Sequence, residues 1–390
     1  MAHVSDAAIR GTKAAKPSAG NGFLRRYGFK LGASAVITCG IVATVHKGGL
    51  KLLPEGGDFD HVRVWTVAVY VASLVVVTWF RSVRWRLLLR PIAELSRKRV
   101  VVVSCIGFAA ILLMPFRIGE FVRPYLIRSP GRLGGKSISL TAATSSVVAE
   151  RVIDGLYVSI VLALALLFVP TVHPLPDRVV GIPVTVAHVR MSGYAMLGLF
   201  GTAFATIAVF YFARSWAHRT TLAVLGKVSP SLAERLATMA EKFADGLHLF
   251  SRGRDALGFM LETTLYWGIN VLGMWFLAWG CGVVHADGSA ATFGEACAMM
   301  GMLSCAIFIP GPPGMLGVFQ AGIYAAMTMF YPTNVVVGAG AAYVFLLYAC
   351  QVVCQLLFGA IAFWFDRDGV AALEATGIAG DAPVPAPSDA

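Results

Sequence analysis

The chain has 390 residues, 57% of them hydrophobic and 14% charged, with a formal net charge of +11 and a mean hydropathy of +0.72. A soluble domain carries about 25% charged residues, so a water-soluble globule is excluded. The basic excess falls in short stretches between apolar runs, where the positive-inside rule places it, and forms no nucleic-acid-binding face.

Residues 1–22 are polar and rich in Gly, Ala and Ser, and a disordered basic N-terminal segment is predicted over 1–28. Arg25, Arg26 and Lys30 border the first apolar run, and no small-residue cleavage signature follows it, so an uncleaved first helix is expected. A membrane span takes about 20 apolar residues. Candidate spans are 29–46, 62–80, 138–169, 191–213, 257–283 and 334–365. Two further apolar stretches, 100–116 and 292–309, each run into a Pro/Gly break and then a second short apolar piece. The first break carries Pro115 and Gly119; the second carries Pro310, Gly311, Gly314 and Gly317. Proline removes a helix donor and glycine permits sharp turns. Irregular backbone of that kind survives at membrane depth only where protein or a water-filled cavity covers it.

Charge decides how the two stretches run. With the N-terminus inside, the linker 81–99 is inside, with Arg81, Arg84, Arg86, Arg90, Arg97, Lys98 and Arg99. A full span over 100–116 would put Arg123, Arg128, Arg132 and Lys136 outside, against the rule. A hairpin over 100–128 keeps them inside. A second hairpin over 292–330, entering from outside, leaves both 214–256 and the tail 366–390 inside. The predicted fold class is therefore all-α: a polytopic membrane helix bundle over 29–365, with about six full spans and two re-entrant hairpins. Both termini face the cytoplasm of a cytoplasmic (inner) membrane. Within 215–255, Leu232, Leu236, Met239, Phe243, Leu247 and Phe250 recur at helical spacing behind Ser231 and Glu234, which predicts an amphipathic helix on the inner face. The tail 366–390 reads as disordered, above all from Gly377.

The halves resemble one another in opposite orientation. Glu120 ends the first break and Glu150 lies 30 positions on; Gln320 ends the second and Gln351 lies 31 on. The long spans that follow carry the i,i+4 polar pairs Glu150/Asp154 and Gln351/Gln355, each on one helix face. An inverted repeat with interrupted helices points to a transporter site near the membrane midplane. The strongest constellation is Arg117, Glu120 and Arg123 at the first break, with Glu150, Arg151 and Asp154 in the next span. Three unpaired charges at the bilayer centre would cost on the order of 8–10 kcal/mol, so pairing or an aqueous cavity must offset them. The depth of the cluster depends on where the helix starts. From Ile138, Glu150 lies roughly 18 Å along the axis; from Val147, only about 5 Å.

Other features read as structural. The run Arg81-Ser-Val-Arg-Trp-Arg-Leu-Leu-Leu-Arg90 looks like ordinary interfacial anchoring. Glu262 and Asn270 look like helix-packing polar residues, and Glu295 like an interfacial one. The seven cysteines lie in or beside apolar segments without a CxxC pair, and the eight histidines lack metal-ligand spacing. No disulfide framework, metal, cofactor or catalytic motif is expected. Pro130-Gly-Arg-Leu-Gly-Gly-Lys-Ser137 ends like a P-loop, but proline replaces the glycine that the phosphate-cradling turn needs and no strand precedes it.

Arg84-Trp-Arg-Leu-Leu-Leu, Pro115-Phe-Arg-Ile-Gly-Glu-Phe-Val-Arg123, Val148-Ala-Glu-Arg-Val-Ile-Asp-Gly155 and the break 310–320 carry a family likeness. Over essentially residues 29–365 the chain resembles the flippase-like membrane region of bacterial lysylphosphatidylglycerol synthases, the multiple peptide resistance factors, and of stand-alone membrane proteins sharing it. The resemblance implies a lipid-translocating domain with its charged positions at Arg117, Glu120, Arg123, Glu150, Arg151 and Asp154. The fused relatives carry a soluble lysyl-transferase domain, whereas a short tail follows Phe365 here, so aminoacyl transfer is not expected. Many relatives have Glu at the end of the second break, where this chain has Gln320; a neutral amide holds no titrating proton. The expected partners are membrane lipid, a separate lipid synthase and further copies of the chain. The rival readings are an integral-membrane enzyme on lipid-linked substrates and a non-transporting partner of a lipid synthase.

Overall fold

The computed structural model describes residues 51–128, 137–171, 186–225, 253–307 and 313–367, with isolated residues 36, 39, 40, 43, 229–231, 233, 234 and 238. The termini, most of the first candidate span, most of the amphipathic stretch and the tip with Pro310 and Gly311 lie outside the described residues. The described residues are helical, with no strand and one isolated bridge between Val284 and Ala290.

The first half contains α1 (Val64–Leu89), α2 (Arg97–Leu113), a 3-10 stretch Pro115–Phe121, α3 (Val122–Arg128) and α4 (Leu140–Phe168). Then come α5 (Val186–Phe212) and α6 (Arg214–Leu225). The second half contains α7 (Gly253–Gly280), α8 (Phe293–Ile307), a 3-10 turn Pro313–Met315, α9 (Val318–Met327), α10 (Thr333–Val337) and α11 (Ala339–Phe365). Among the described residues, α1, α4 and α11 are long and apolar enough to cross a membrane. Helix α7 is as long, but its three tryptophans and Asn270 lower its hydropathy.

Local chemistry sets the boundaries. Ser96 caps α2 by accepting from the Arg99 N–H at 3.2 Å, and Ser139 caps α4 by accepting from the Ala142 N–H at 3.2 Å. Thr292 and Glu295 form a reciprocal capping box at α8: the Thr292 N–H donates to the Glu295 carboxylate at 2.9 Å and the Glu295 N–H to the Thr292 hydroxyl at 3.3 Å. Glu295, expected to be interfacial, is buried and also accepts from the Tyr331 hydroxyl at 2.6 Å.

Both broken segments fold back on themselves. Helix α2 stops at Leu113 and the chain returns through the 3-10 stretch and α3. Arg99, at the base of the outgoing helix, donates to the Ile127 carbonyl at the end of the returning one, 2.6 Å away. The two arms match in length, at about 25 Å each. In the second half the Tyr331–Glu295 bond ties the end of the return to the start of α8 in the same way. The turns rely on unusual backbone. Arg117 (φ 57°) and Met315 (φ 55°) are the positive-φ non-glycine residues among those described, one in each break, and Gly314 and Gly317 are also positive. For a side chain this conformation costs about 1–2 kcal/mol, so the surrounding packing must hold it.

Helices distant in sequence pack together. Helix α1 lies along α7, α4 along α8, and α11 along α2. The end of α1 is tied to the start of α7, where Arg90 pairs with Asp255 at 2.8 Å, and the start of α2 lies by the end of α11, where the Lys98 ammonium sits 5.2 Å from the Phe365 ring. Two apolar cores result. One holds the start of α1 with the later half of α4, α7, α8 and α9; the other holds the end of α1 with α2, α3 and the early half of α4. Between them is a polar waist. On α4 the change falls between Ile153 and Val158, on α1 between Leu74 and Trp85, and on α7 between Phe259 and Val271.

Gly107 on α2 gives the waist its room, because a Cβ there would overlap the stem of Arg123. Gly107→Val is therefore expected to lower stability by about 1–3 kcal/mol through overpacking, measured as thermal unfolding of the detergent-purified protein. Gly198→Ala, on α5 with open space around it, is the matched control and should leave the midpoint unchanged or raised.

Candidate functional site

The waist is built on Arg84. Expected as an interfacial anchor in a linker beginning at residue 81, it lies instead inside α1, which continues to Leu89, and is fully buried. Its guanidinium grips Asp154 with both Nη atoms, at 2.5 and 2.6 Å. Nη2 also donates to Glu150 at 2.9 Å and Nη1 to the Thr263 hydroxyl at 3.2 Å. Trp267 Nε1 completes the Asp154 carboxylate at 3.3 Å. One arginine thus joins α1, α4 and α7. The second Glu150 oxygen pairs with Arg123 Nη1 at 3.1 Å. Arg123 is fully buried, with its guanidinium 4.2 Å from the Trp85 ring, and Trp85 donates through Nε1 to Ser146 at 3.0 Å.

Helix α4 starts at Leu140, so Glu150 lies about 15 Å along the axis from its first residue and about 27 Å from Phe168. The cluster is therefore deep along the helix, close to the deeper of the two sequence expectations. Charges at such a position are tolerated when each has a partner.

A cavity of about 200 Å³ opens beside this network. Arg117, Arg151 and Asp154 from the first half line it, facing Gln351 and Gln355 from the second, with Asn270, Tyr348 and Ser304. Leu74, Phe108, Leu162, Phe200, Met300 and Phe319 supply apolar wall. The two breaks meet here: Arg117 Nη1 donates 3.3 Å to the Ile307 carbonyl at the end of α8, and both Gly314 and Met315 face the cavity. Arg117 also pairs with Glu120, whose other oxygen lies 3.8 Å from Arg151 Nε.

The sequence-selected residues therefore divide. Arg117, Arg151, Asp154, Gln351 and Gln355 share the cavity wall. Glu120 holds two of its arginines from behind. Glu150 and Arg123 form a sealed pair away from the cavity. Gln320 is buried and its side-chain oxygen accepts from the Gly317 N–H at 2.7 Å, capping α9 instead of lining the cavity. Among the breaks, Gly119 packs against the α2 backbone at Ala110, where no Cβ would fit, and Gly314 turns at the cavity edge. Sequence reasoning missed Arg84 and also Arg81, which lines the cavity with its guanidinium 4.0 Å from the Phe108 ring. The signal was present: Leu87, Leu88 and Leu89 resume the apolar pattern after the arginines, so the helix does not end at residue 80. Among the described residues, no group of three or more His, Cys, Asp or Glu side chains is placed to hold a metal.

The family model for the lysylphosphatidylglycerol synthase TM region matches residues 33–359. The chain belongs to this family. As a lysylphosphatidylglycerol synthase-type membrane region it is a membrane protein, in agreement with its apolar helices. No curated protein and no solved structure matches the chain.

Removing Arg84 would strand the buried Asp154 carboxylate and leave Glu150 with Arg123 as its one ion-pair partner among the described residues. Arg84→Gln is expected to destabilise the purified protein by about 3–5 kcal/mol. The double variant Arg84→Gln/Asp154→Asn should recover part of that loss, because the residual charge is then removed. Thermal unfolding in one detergent compares the variants; strictly additive losses would show that the two side chains are uncoupled.

Proposed function

We propose that this membrane region translocates a phospholipid, or another amphiphile with a charged headgroup, across the cytoplasmic membrane. The observation that carries the reading is the cavity where both broken hairpins meet, lined by charged and amide side chains from both halves. A headgroup seated there keeps its charge among polar partners while its acyl chains stay in lipid, so no bare charge is dragged through hydrocarbon.

The proposed architecture is an inverted repeat of about six spans and two re-entrant hairpins. The base-to-base ties at Arg99–Ile127 and Glu295–Tyr331 support the hairpins, and the reciprocal packing of α1 on α7, α4 on α8 and α11 on α2 supports the repeat. Two broken elements facing one site provide the parts for opening it alternately to either side. Movement of the Arg117 and Met315 turns, held in a strained backbone region, would change access.

The orientation follows from charge. Arg90 with Asp255, Arg99 with Ile127 and Lys98 with Phe365 bring the basic ends together at one end of the bundle, which we assign to the cytoplasm. Ser137, exposed just before α4, should then resist a membrane-impermeant thiol reagent in intact cells when made the sole cysteine. Labelling from outside would overturn the first hairpin.

Proteoliposomes of the purified chain with fluorescent phospholipid should move lipid between leaflets faster than protein-free vesicles. Arg117→Gln, at the meeting point of the breaks, should slow that movement at least about tenfold, the loss expected for a charge-assisted hydrogen bond. If wild-type protein moves no lipid class under any imposed ion gradient, the translocation reading fails for the isolated chain, and a non-transporting partner of a lipid synthase takes its place.

A further inference from the structure

Resting on the reading of this cavity as a headgroup site, we propose that it selects an anionic headgroup with hydrogen-bonding neutral groups and rejects one carrying an added ammonium, with Arg81 as the selecting residue. The charged wall consists of Arg81, Arg117, Arg151 and a single carboxylate, Asp154. That carboxylate is occupied: Arg84 grips both its oxygens and Trp267 donates to one of them. Glu120, behind the wall, is shared by Arg117 and Arg151. Glu150 is shared by Arg84 and Arg123. Glu262, on α7, lies outside the wall. An ammonium entering the cavity therefore meets three guanidinium groups and no carboxylate with a free face.

An anion meets the opposite arrangement. Arg81 has no ion pair among the described residues; its guanidinium lies against the Phe108 ring, and its Nε is buried without a hydrogen-bond partner. The planar fork of an arginine matches phosphate oxygens two at a time. Across the cavity, Gln351, Gln355, Asn270, Ser304 and Tyr348 offer amides and hydroxyls that suit a glycerol or similar polyhydroxyl group. The chemistry fits a phosphodiester with a neutral, hydroxylated head. It does not fit the lysylated form that the family's description names. Specificity here comes as much from repulsion of the wrong charge as from attraction of the right one.

The test measures binding separately from movement. Full-length protein in nanodiscs of zwitterionic lipid is titrated with phosphatidylglycerol and with lysylphosphatidylglycerol, and retained lipid is counted by native mass spectrometry. Wild type should retain phosphatidylglycerol at least about tenfold better, the scale of one charged hydrogen bond. Arg81→Gln should abolish that preference, whereas Gln355→Glu, which adds a free carboxylate to the wall, should shift it toward the lysylated lipid. A gain of that kind cannot come from misfolding. Equal retention of both lipids by wild type, or preference for the lysylated one, would overturn the selectivity. Retention with the expected preference but no movement in proteoliposomes would uphold the selectivity and remove the translocation reading alone.

Discussion

The whole waist depends on one constraint: a carboxylate pair halfway along an apolar helix must be neutralised in place. Glu150 and Asp154 are four residues apart on α4, so they face the same way, and Arg84 answers both from α1. An isolated charge at that depth would cost several kcal/mol. The bidentate grip on Asp154 fixes the rotation of α1 against α4, and the Thr263 contact fixes α7 against both. Trp85, one residue on, turns to the other side and stacks on Arg123, which closes the second Glu150 oxygen.

With its carboxylates spent on this internal frame, the cavity is left cationic. That division of labour gives the site its chemistry. The sealed pairs of Arg84 and Arg123 hold helices together, and the less enclosed arginines, Arg81, Arg117 and Arg151, face the space between the halves. A hydrophobic core lies on either side of the waist. The breaks bring backbone with positive φ to the same place. The ion-paired frame and the positive-φ turns thus meet at one cavity.

Much of the fold was legible because membrane helices must satisfy their backbone internally, and so must be long and apolar. The ends of α4 differ from the sequence expectation by one or two residues, and Ser139 shows why: a capping serine precedes the apolar run. Both breaks were legible from Pro115, Gly119, Gly314 and Gly317, although the positive-φ positions Arg117 and Met315 were not, and Gly119 serves close packing against Ala110. Arg84 was not legible. A run of four arginines near a span end looks like an anchor, and only its partners on α4 and α7, 66 to 179 positions away, reveal it as a core residue. Gln320 shows the opposite case. Its place in the repeat suggested substrate contact, but a local backbone N–H at Gly317 claims its side chain first.

The most direct test of the account is a cryo-electron-microscopy map of the full chain in nanodiscs doped with phosphatidylglycerol brominated on its acyl chains. The account predicts headgroup density bounded by Arg81, Arg117 and Arg151, with bromine density running outward into the bilayer from the same site. A cavity filled by acyl density alone, with every headgroup lying at the bundle's outer surface, would contradict it.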